Sequence, residues 1–379
     1  MRKASALVVP LLLVGLTVVI GVWDLRTVRT GEARAVAVRT TPTPPPTIAV
    51  IHPRGSAQDF EAGVSVVIYG NDPYFADKTQ ALLNRLAMLG VNSVSLVIPV
   101  FQQGWAASEV YADPIKTPSD AAIAVFASQA RRRGFTVMLR PLLDIVTPQD
   151  GTHWRGTIQP QDGAQWKSTY TAQLANYARV AEVNHIAILD IGSELDSMER
   201  DGAFWQRLIA TVRAEFHGQV TYSSNWAKSF PSFGKSLDFI SVDAYFPLKA
   251  PATASIGDLV GAWQQWVARL KRMSQSFGKP LVLTELGATS LTGSFQQPWL
   301  WDNGQPVDLS AQQRYYDAAC QAVVPRFGGV YWWMYTLDPP AKPALDRGFM
   351  VSGKPAEASL AHCFGGSAIL PTPLPTPSP

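Results

Sequence analysis

Between residues 48 and 366 the chain alternates short apolar, β-rich runs with longer stretches in which apolar positions return every three or four residues. The short runs fall at 64–69, 93–100, 136–140, 186–191, 220–223, 239–242, 281–283 and 330–335, and they predict eight strands. Helical periodicity separates most of them. It is clearest in "GDLVGAWQQWVARLKRMSQSFG", where Leu259, Trp263, Trp266, Val267, Leu270 and Met273 recur at helical spacing and Gly278 closes the helix. That face pattern assigns Trp263 and Trp266 to the core. Eight apolar strands alternating with helices over roughly 300 residues predict an α/β fold of the (β/α)8 TIM barrel type. A doubly wound open sheet is the other architecture such alternation allows. Its dinucleotide-binding form is disfavoured, because "GNDPYF" follows the first strand where a glycine-rich phosphate loop would stand.

The ends of the chain read differently. Met1, Arg2 and Lys3 precede an uncharged apolar run at 4–23, closed by Asp24 and Arg26. The run approaches the ~20 residues that span a bilayer and exceeds the ~7 to 15 of a signal-peptide core, which favours an uncleaved signal anchor over a cleaved signal peptide. Small residues in "ARAVA", 33–37, offer a cleavage site, but well beyond the apolar run. In either case the body is expected to be exported, to the cell surface or the extracellular space. Residues 24–47 form a Pro/Thr-rich linker containing "TTPTPPPT", 48–366 the folded domain, and 367–379 a Pro-rich tail, "PTPLPTPSP" at its end.

Composition narrows the function classes. With 379 residues, 47% hydrophobic and 16% charged, the chain is an ordinary globular protein, and its formal net charge of +3 is spread thinly. Nothing resembles the basic footprint of a nucleic-acid binder. The run Arg131 to Arg133 before Gly134 suits the carboxyl end of a helix. Cys320 and Cys363 are the two cysteines, and the sequence leaves open whether they pair or remain buried thiols. His153 has no partner at metal-ligand spacing, so neither a metal nor a cofactor is expected, and no GxSxG or HExxH motif occurs. The domain is expected to act as a monomer.

Candidate chemistry emerges where apolar strands end in acids. "HIAILDIGSELDS" carries Glu194 just past the fourth strand, and "KPLVLTELGATS" carries Glu285 just past the seventh. In a (β/α)8 barrel the active site is built at the carboxyl ends of the strands. The two glutamates are 91 residues apart, about three βα units of ~30 residues, so their strand ends can face each other across the barrel mouth. Such a pair suits glycoside hydrolysis, with one carboxyl protonating the departing oxygen and the other attacking the anomeric carbon. A purely structural role, capping a helix or pairing with an arginine such as Arg140, is the competing reading.

Several motifs in order, "HWRGTIQP", "LDIGSEL", "VTYSSNW", "LDFISVDAYFPL", "PLVLTELG" and "GVYWWMYTLDP", are similar to those of glycoside hydrolase family 113, the endo-β-1,4-mannanases of the large (β/α)8 clan that retains anomeric configuration. The resemblance spans most of residues 62 to 340. It implies Glu194 as acid/base and Glu285 as nucleophile, acting on a β-linked polysaccharide, with mannan as the implied substrate. One position departs: many members of the clan carry Asn immediately before the acid/base, where Ser193 stands here, so the contact to the sugar 2-hydroxyl must come from Ser193 or elsewhere. That departure leaves room for a non-catalytic glycan-binding barrel, and a glucanase or xylanase would share the catalytic logic.

Placement assigns further candidates for contact with the substrate, Arg140 at the end of strand three and Ser193 before Glu194 among them. Tyr245, two residues past Asp243, can hydrogen-bond the nucleophile. Asn225, followed by Trp226 after strand five, can offer a donor and an acceptor to hydroxyls or shape the turn. Trp332 and Trp333 must point to opposite sides of strand eight, one toward the mouth as a sugar platform. The loops at 142–165 and 288–308 carry His153, Trp154, Arg155, Trp299 and Trp301 to the same face.

Overall fold

The computed structural model describes residues 60–147 and 152–367. The apolar run, the linker, the start of the expected domain at residue 48 and nearly all of the C-terminal tail lie outside them. Among the described residues, no helix is long and apolar enough to cross a membrane.

Eight parallel strands close into a barrel in sequence order: β1 (Glu61–Val67), β2 (Ser93–Gln102), β3 (Thr136–Ile145), β4 (Ile188–Ser193), β5 (Gln219–Asn225), β6 (Ile240–Asp243), β7 (Leu281–Leu286) and β8 (Gly329–Tyr335). All eight expected runs become strands. Among the described residues, seven α-helices surround them: α1 (Phe75–Met88), α2 (Asp120–Arg132), α3 (Gly163–Val183), α4 (Gly202–Glu215), α5 (Ile256–Phe277), α6 (Leu309–Ala322) and α7 (Pro355–Phe364). Their starts are written locally. Ser119, Asp162, Asp201 and Asp308 each accept a backbone N–H of the first turn, and Ser255 with Asp258 forms a reciprocal capping box on α5. Gly278 ends α5 at φ 62°, a left-handed conformation that glycine adopts without steric cost. On α5, Leu259, Trp263, Val267 and Leu270 are buried. Trp266 is half-buried and stacks on Phe246 at 4.7 Å.

Strands β3 and β7 run further than their apolar stretches. Polar residues such as Asp144 and Glu285 extend the ladder once neighbouring strands offer partners, so the loop expected from 142 begins after Ile145, and Glu285 lies inside β7.

Inward-facing side chains stack in layers, as barrels of this size require. The lowest layer is apolar: Met138, Ile188, Phe239, Val282 and Tyr331. One step up the same strands, alternation brings in Arg140, Asp190, Thr284 and Trp333. Arg140 and Asp190 are fully buried and ion-paired at 3.2 Å.

Cys320 on α6 and Cys363 on α7 form a disulfide with Cα atoms 5.6 Å apart, resolving what the sequence left open.

Candidate active site

Two breaks in strand register shape the site. On β4 the pairing with β5 shifts between Asp190 and Ser193. A β-carbon on Gly192 would meet the Tyr170 hydroxyl at 2.9 Å and Trp205 at 3.2 Å, so position 192 faces the helices where strict alternation from Asp190 would turn it inward. Ser193 is thereby rotated into the barrel. The next residue, Glu194, has φ 54°, a left-handed conformation costing a non-glycine residue ~1–2 kcal/mol. Two backbone donors offset that cost: Glu194 N to the Ser223 carbonyl at 2.8 Å, and Leu195 N to the Tyr222 hydroxyl at 2.9 Å. On β7 the register against β6 shifts so that Asp243 opposes Glu285, leaving Thr284 as the extra residue. Thr284 and Glu285 therefore serve one cluster: the Thr284 hydroxyl donates to Asp243 at 3.0 Å, and Glu285 pairs with Arg140 at 2.9 Å.

Arg140 organises this cluster. Its guanidinium contacts Asp190 at 3.2 Å, Asp243 at 2.7 Å and Glu285 at 2.9 Å, accepts nothing, and donates further to Ser193 Oγ at 2.8 Å and the Thr284 carbonyl at 3.1 Å. A buried cation needs such compensation. Burial also pushes the Asp190 carboxyl up to about 6.

Glu285 and Glu194 stand in different surroundings. Glu285 Oε2 accepts from the Tyr245 hydroxyl at 2.6 Å, and its Oε1 takes the Arg140 ion pair. Glu194 Oε1 accepts from Asn225 Nδ2 at 2.9 Å, and its Oε2 meets Arg155 at 3.3 Å. Burial and the nearby Asp243 charge push both carboxyls upward from the ordinary glutamate range. Their charges repel, so the pair gives up its protons in sequence. The short contacts from a guanidinium and a phenol favour the ionised form at Glu285.

Above the pair lies a cleft of about 640 Å³ that Trp154, Asn225, Trp226, Trp299 and Trp333 help to line. A second compartment of about 570 Å³ shares Trp154, Arg155, Trp301 and Trp333 with it and reaches Tyr69 and Asp144. Trp226 stacks on Trp299 at 5.1 Å, and Trp301 packs edge-on against Phe349, which packs edge-on against Tyr245. Gly156 lets the Trp154 ring close over the backbone, since a β-carbon there would lie 2.5 Å from it.

The structure brings Glu194, Glu285, Tyr245, Asn225, Trp154, Arg155 and Trp333 to this cleft, and it corrects three expected sugar contacts. Arg140 has no exposed surface and lies beneath the glutamates. The Ser193 hydroxyl is also beneath, bonded to Arg140 and to Asp243 at 2.8 Å, because the β4 shift turns it inward. Trp332 faces outward, 1% exposed, and stacks on Tyr316 of α6 at 4.1 Å, since it alternates with the inward-facing Tyr331 and Trp333. Asn225 shapes the turn, its Oδ1 accepting from Ala227 N at 2.8 Å, while its Nδ2 donates to Glu194, a role the sequence did not suggest. Sequence reasoning missed the part played by Asp190, Asp243, Thr284 and Asp144. Asp190 sits in mid-strand among apolar residues, a signal for a buried pair that could have been read with Arg140. Among the described residues, no group of three His, Cys, Asp or Glu side chains is placed to hold a metal ion.

Residues 68–354 match the model of Glycoside Hydrolase Family 113. The chain belongs to glycoside hydrolase family 113. It is therefore a glycoside hydrolase on the (β/α)8 barrel, as the motifs implied. A family 113 β-mannanase from Alicyclobacillus acidocaldarius, solved in complex with ManMIm, is 28% identical with a TM-score of 0.72, over 81% of this chain and 97% of its own. A second family 113 β-1,4-mannanase reaches a TM-score of 0.72 at 22% identity, over 82% of this chain and 100% of its own. A family 5 mannosidase from Rhizomucor miehei reaches 0.56 at 10% identity, over 81% and 92%. The last two likenesses speak to the fold. Comparison with curated proteins gave no match.

Proposed function

We propose that this family 113 hydrolase is a retaining endo-β-1,4-mannanase working by double displacement. Glu285, ionised by Arg140 and Tyr245, attacks the anomeric carbon while Glu194 gives its proton to the departing glycosidic oxygen. The bond from that carbon to the leaving sugar breaks, and an ester to Glu285 forms. Glu194, now a carboxylate, takes a proton from a water whose oxygen attacks the same carbon, releasing the sugar and restoring Glu285. Trp154, Trp299 and Trp333 offer apolar faces to pyranose rings.

The observation that carries this reading is the asymmetry of the two carboxyls: Glu285 receives a guanidinium at 2.9 Å and a phenol at 2.6 Å, whereas Glu194 receives an amide at 2.9 Å and a longer guanidinium contact at 3.3 Å. Mannan as substrate rests on the likeness to the Alicyclobacillus acidocaldarius β-mannanase. Export, with residues 1–23 as an anchor, 24–47 as a linker and 48–366 as the catalytic domain, rests on the sequence.

The test is reducing-sugar release from mannan, glucomannan, xylan and cellulose derivatives, with Glu285→Gln as control. Release from mannan, abolished in Glu285→Gln, is expected. Release from xylan or cellulose alone would overturn the substrate, and undiminished release by the variant would overturn the nucleophile.

A further inference from the structure

Arg155 stands between two carboxylates. It opens a single 3-10 turn, Arg155–Thr157, in the connection after β3. Its Nε donates to the Leu143 carbonyl at 2.9 Å, which fixes the plane of the guanidinium. One terminal nitrogen then reaches Asp144 Oδ1 at 3.1 Å and the other Glu194 Oε2 at 3.3 Å. Asp144 is itself held by the Tyr69 hydroxyl, which donates to Oδ2 at 2.7 Å. The Arg155 side chain is 22% exposed at the junction of the two cleft compartments.

Among the described residues, the other charged or titratable groups facing Glu194 are Arg140 from β3, Asp243 at the end of β6, Glu285 on β7, Tyr245 after β6, and Asp196 and Glu199 from its own connection. Arg140 is committed below to Asp190, Asp243 and Glu285. Arg155 is thus the cation that meets Glu194 directly, and Asp144 competes for it. We propose that Arg155, divided between Asp144 and Glu194, is the positioning residue that sets when Glu194 holds its proton, with Asp144 as the counterweight. This rests on the reading of Glu194 as acid/base. A guanidinium given wholly to Glu194 would favour the carboxylate and weaken the acid of the first step, whereas no guanidinium would let burial retain the proton and weaken the base of the second. A shared one leaves both states within reach.

The two partners should therefore shift the acid in opposite directions. The experiment is the pH profile of kcat/KM on β-1,4-mannopentaose for Arg155→Met and Asp144→Asn. Removing the cation is expected to move the basic limb up by about one pH unit, and removing the competing anion to move it down by about one unit. Arg155→Lys, which keeps the charge and loses the fork, should lie closer to the parent than Arg155→Met. Loss of structural support alone would lower activity in both variants without moving the limbs apart. Limbs that stay in place, or move together, overturn the proposal. Glu194→Ala, assayed on a dinitrophenyl β-mannobioside with and without azide, separates the two levels, because a good leaving group needs no acid and azide needs no base. Azide rescue with unmoved limbs overturns the proposal alone. Absence of rescue overturns the acid/base reading and the proposal with it.

Discussion

Tyr245 donates its hydroxyl to Glu285 over 2.6 Å, and its own ring is held edge-on by Phe349 at 6.0 Å. The phenol is thus fixed on both sides, aimed at the carboxylate it stabilises. A hydrogen bond to a charged group contributes ~1.5–3 kcal/mol, so Tyr245→Phe should lower kcat/KM roughly 10- to 100-fold. The bond favours the ionised form of Glu285, and its loss raises the carboxyl further, so the acidic limb of the pH profile should also move to higher pH. Steady-state kinetics across pH checks both parts.

Arg140 compensates three buried carboxyls at once. Arg140→Met leaves them without a cation, an imbalance that costs about 3–5 kcal/mol when one partner of a buried ion pair is removed. Denaturant unfolding should show a loss of that order, together with loss of activity. A variant as stable as the parent would contradict the organising role given to Arg140.

Stability should also depend on pH in a stated direction. Burial raises the carboxyls of Glu61, Asp196 and Glu199 to about 7 and that of Asp190 to about 6, against about 4 in an unfolded chain. The folded state therefore holds more protons than the unfolded one between these values, and the contribution of these groups, complete below about pH 4, is lost as pH rises through 6 to 7. The melting temperature is expected to fall from pH 5 to pH 8. Glu199→Gln, which can still accept from Tyr222, should flatten that decline.

The disulfide closes a loop of 43 residues between α6 and α7. Loop entropy assigns such a closure about 4 kcal/mol. Replacing both cysteines by serine should lower the melting temperature by roughly 5–10 °C while leaving the hydrolytic activity in place, as calorimetry and a reducing-sugar assay would show.

Much of this was legible in the chain. Apolar strands ending in acids marked Glu194 and Glu285, and the two-residue offset from Asp243 marked Tyr245. What escaped was depth and parity. Ser193 reads as a cleft residue from its place immediately before Glu194, and Arg140 stands beside it among the candidate substrate contacts. Arg140 is in fact one layer down, and a register shift at Gly192, where Tyr170, Tyr222 and Trp205 leave no room for a β-carbon, turns Ser193 toward it. The alternation of Trp332 and Trp333 was certain, but its phase depended on which of Tyr331 and Trp332 met the barrel interior. The pairing of Asp144 with Arg155 required β3 to run on through Ile145 and the connection to fold back over it.

The most direct measurement is covalent trapping with a 2-deoxy-2-fluoro-β-mannosyl fluoride, whose fluorine slows release of the intermediate, followed by peptide mapping. One added sugar is expected, on the peptide carrying Glu285. A label on any other residue would contradict Glu285 as the nucleophile.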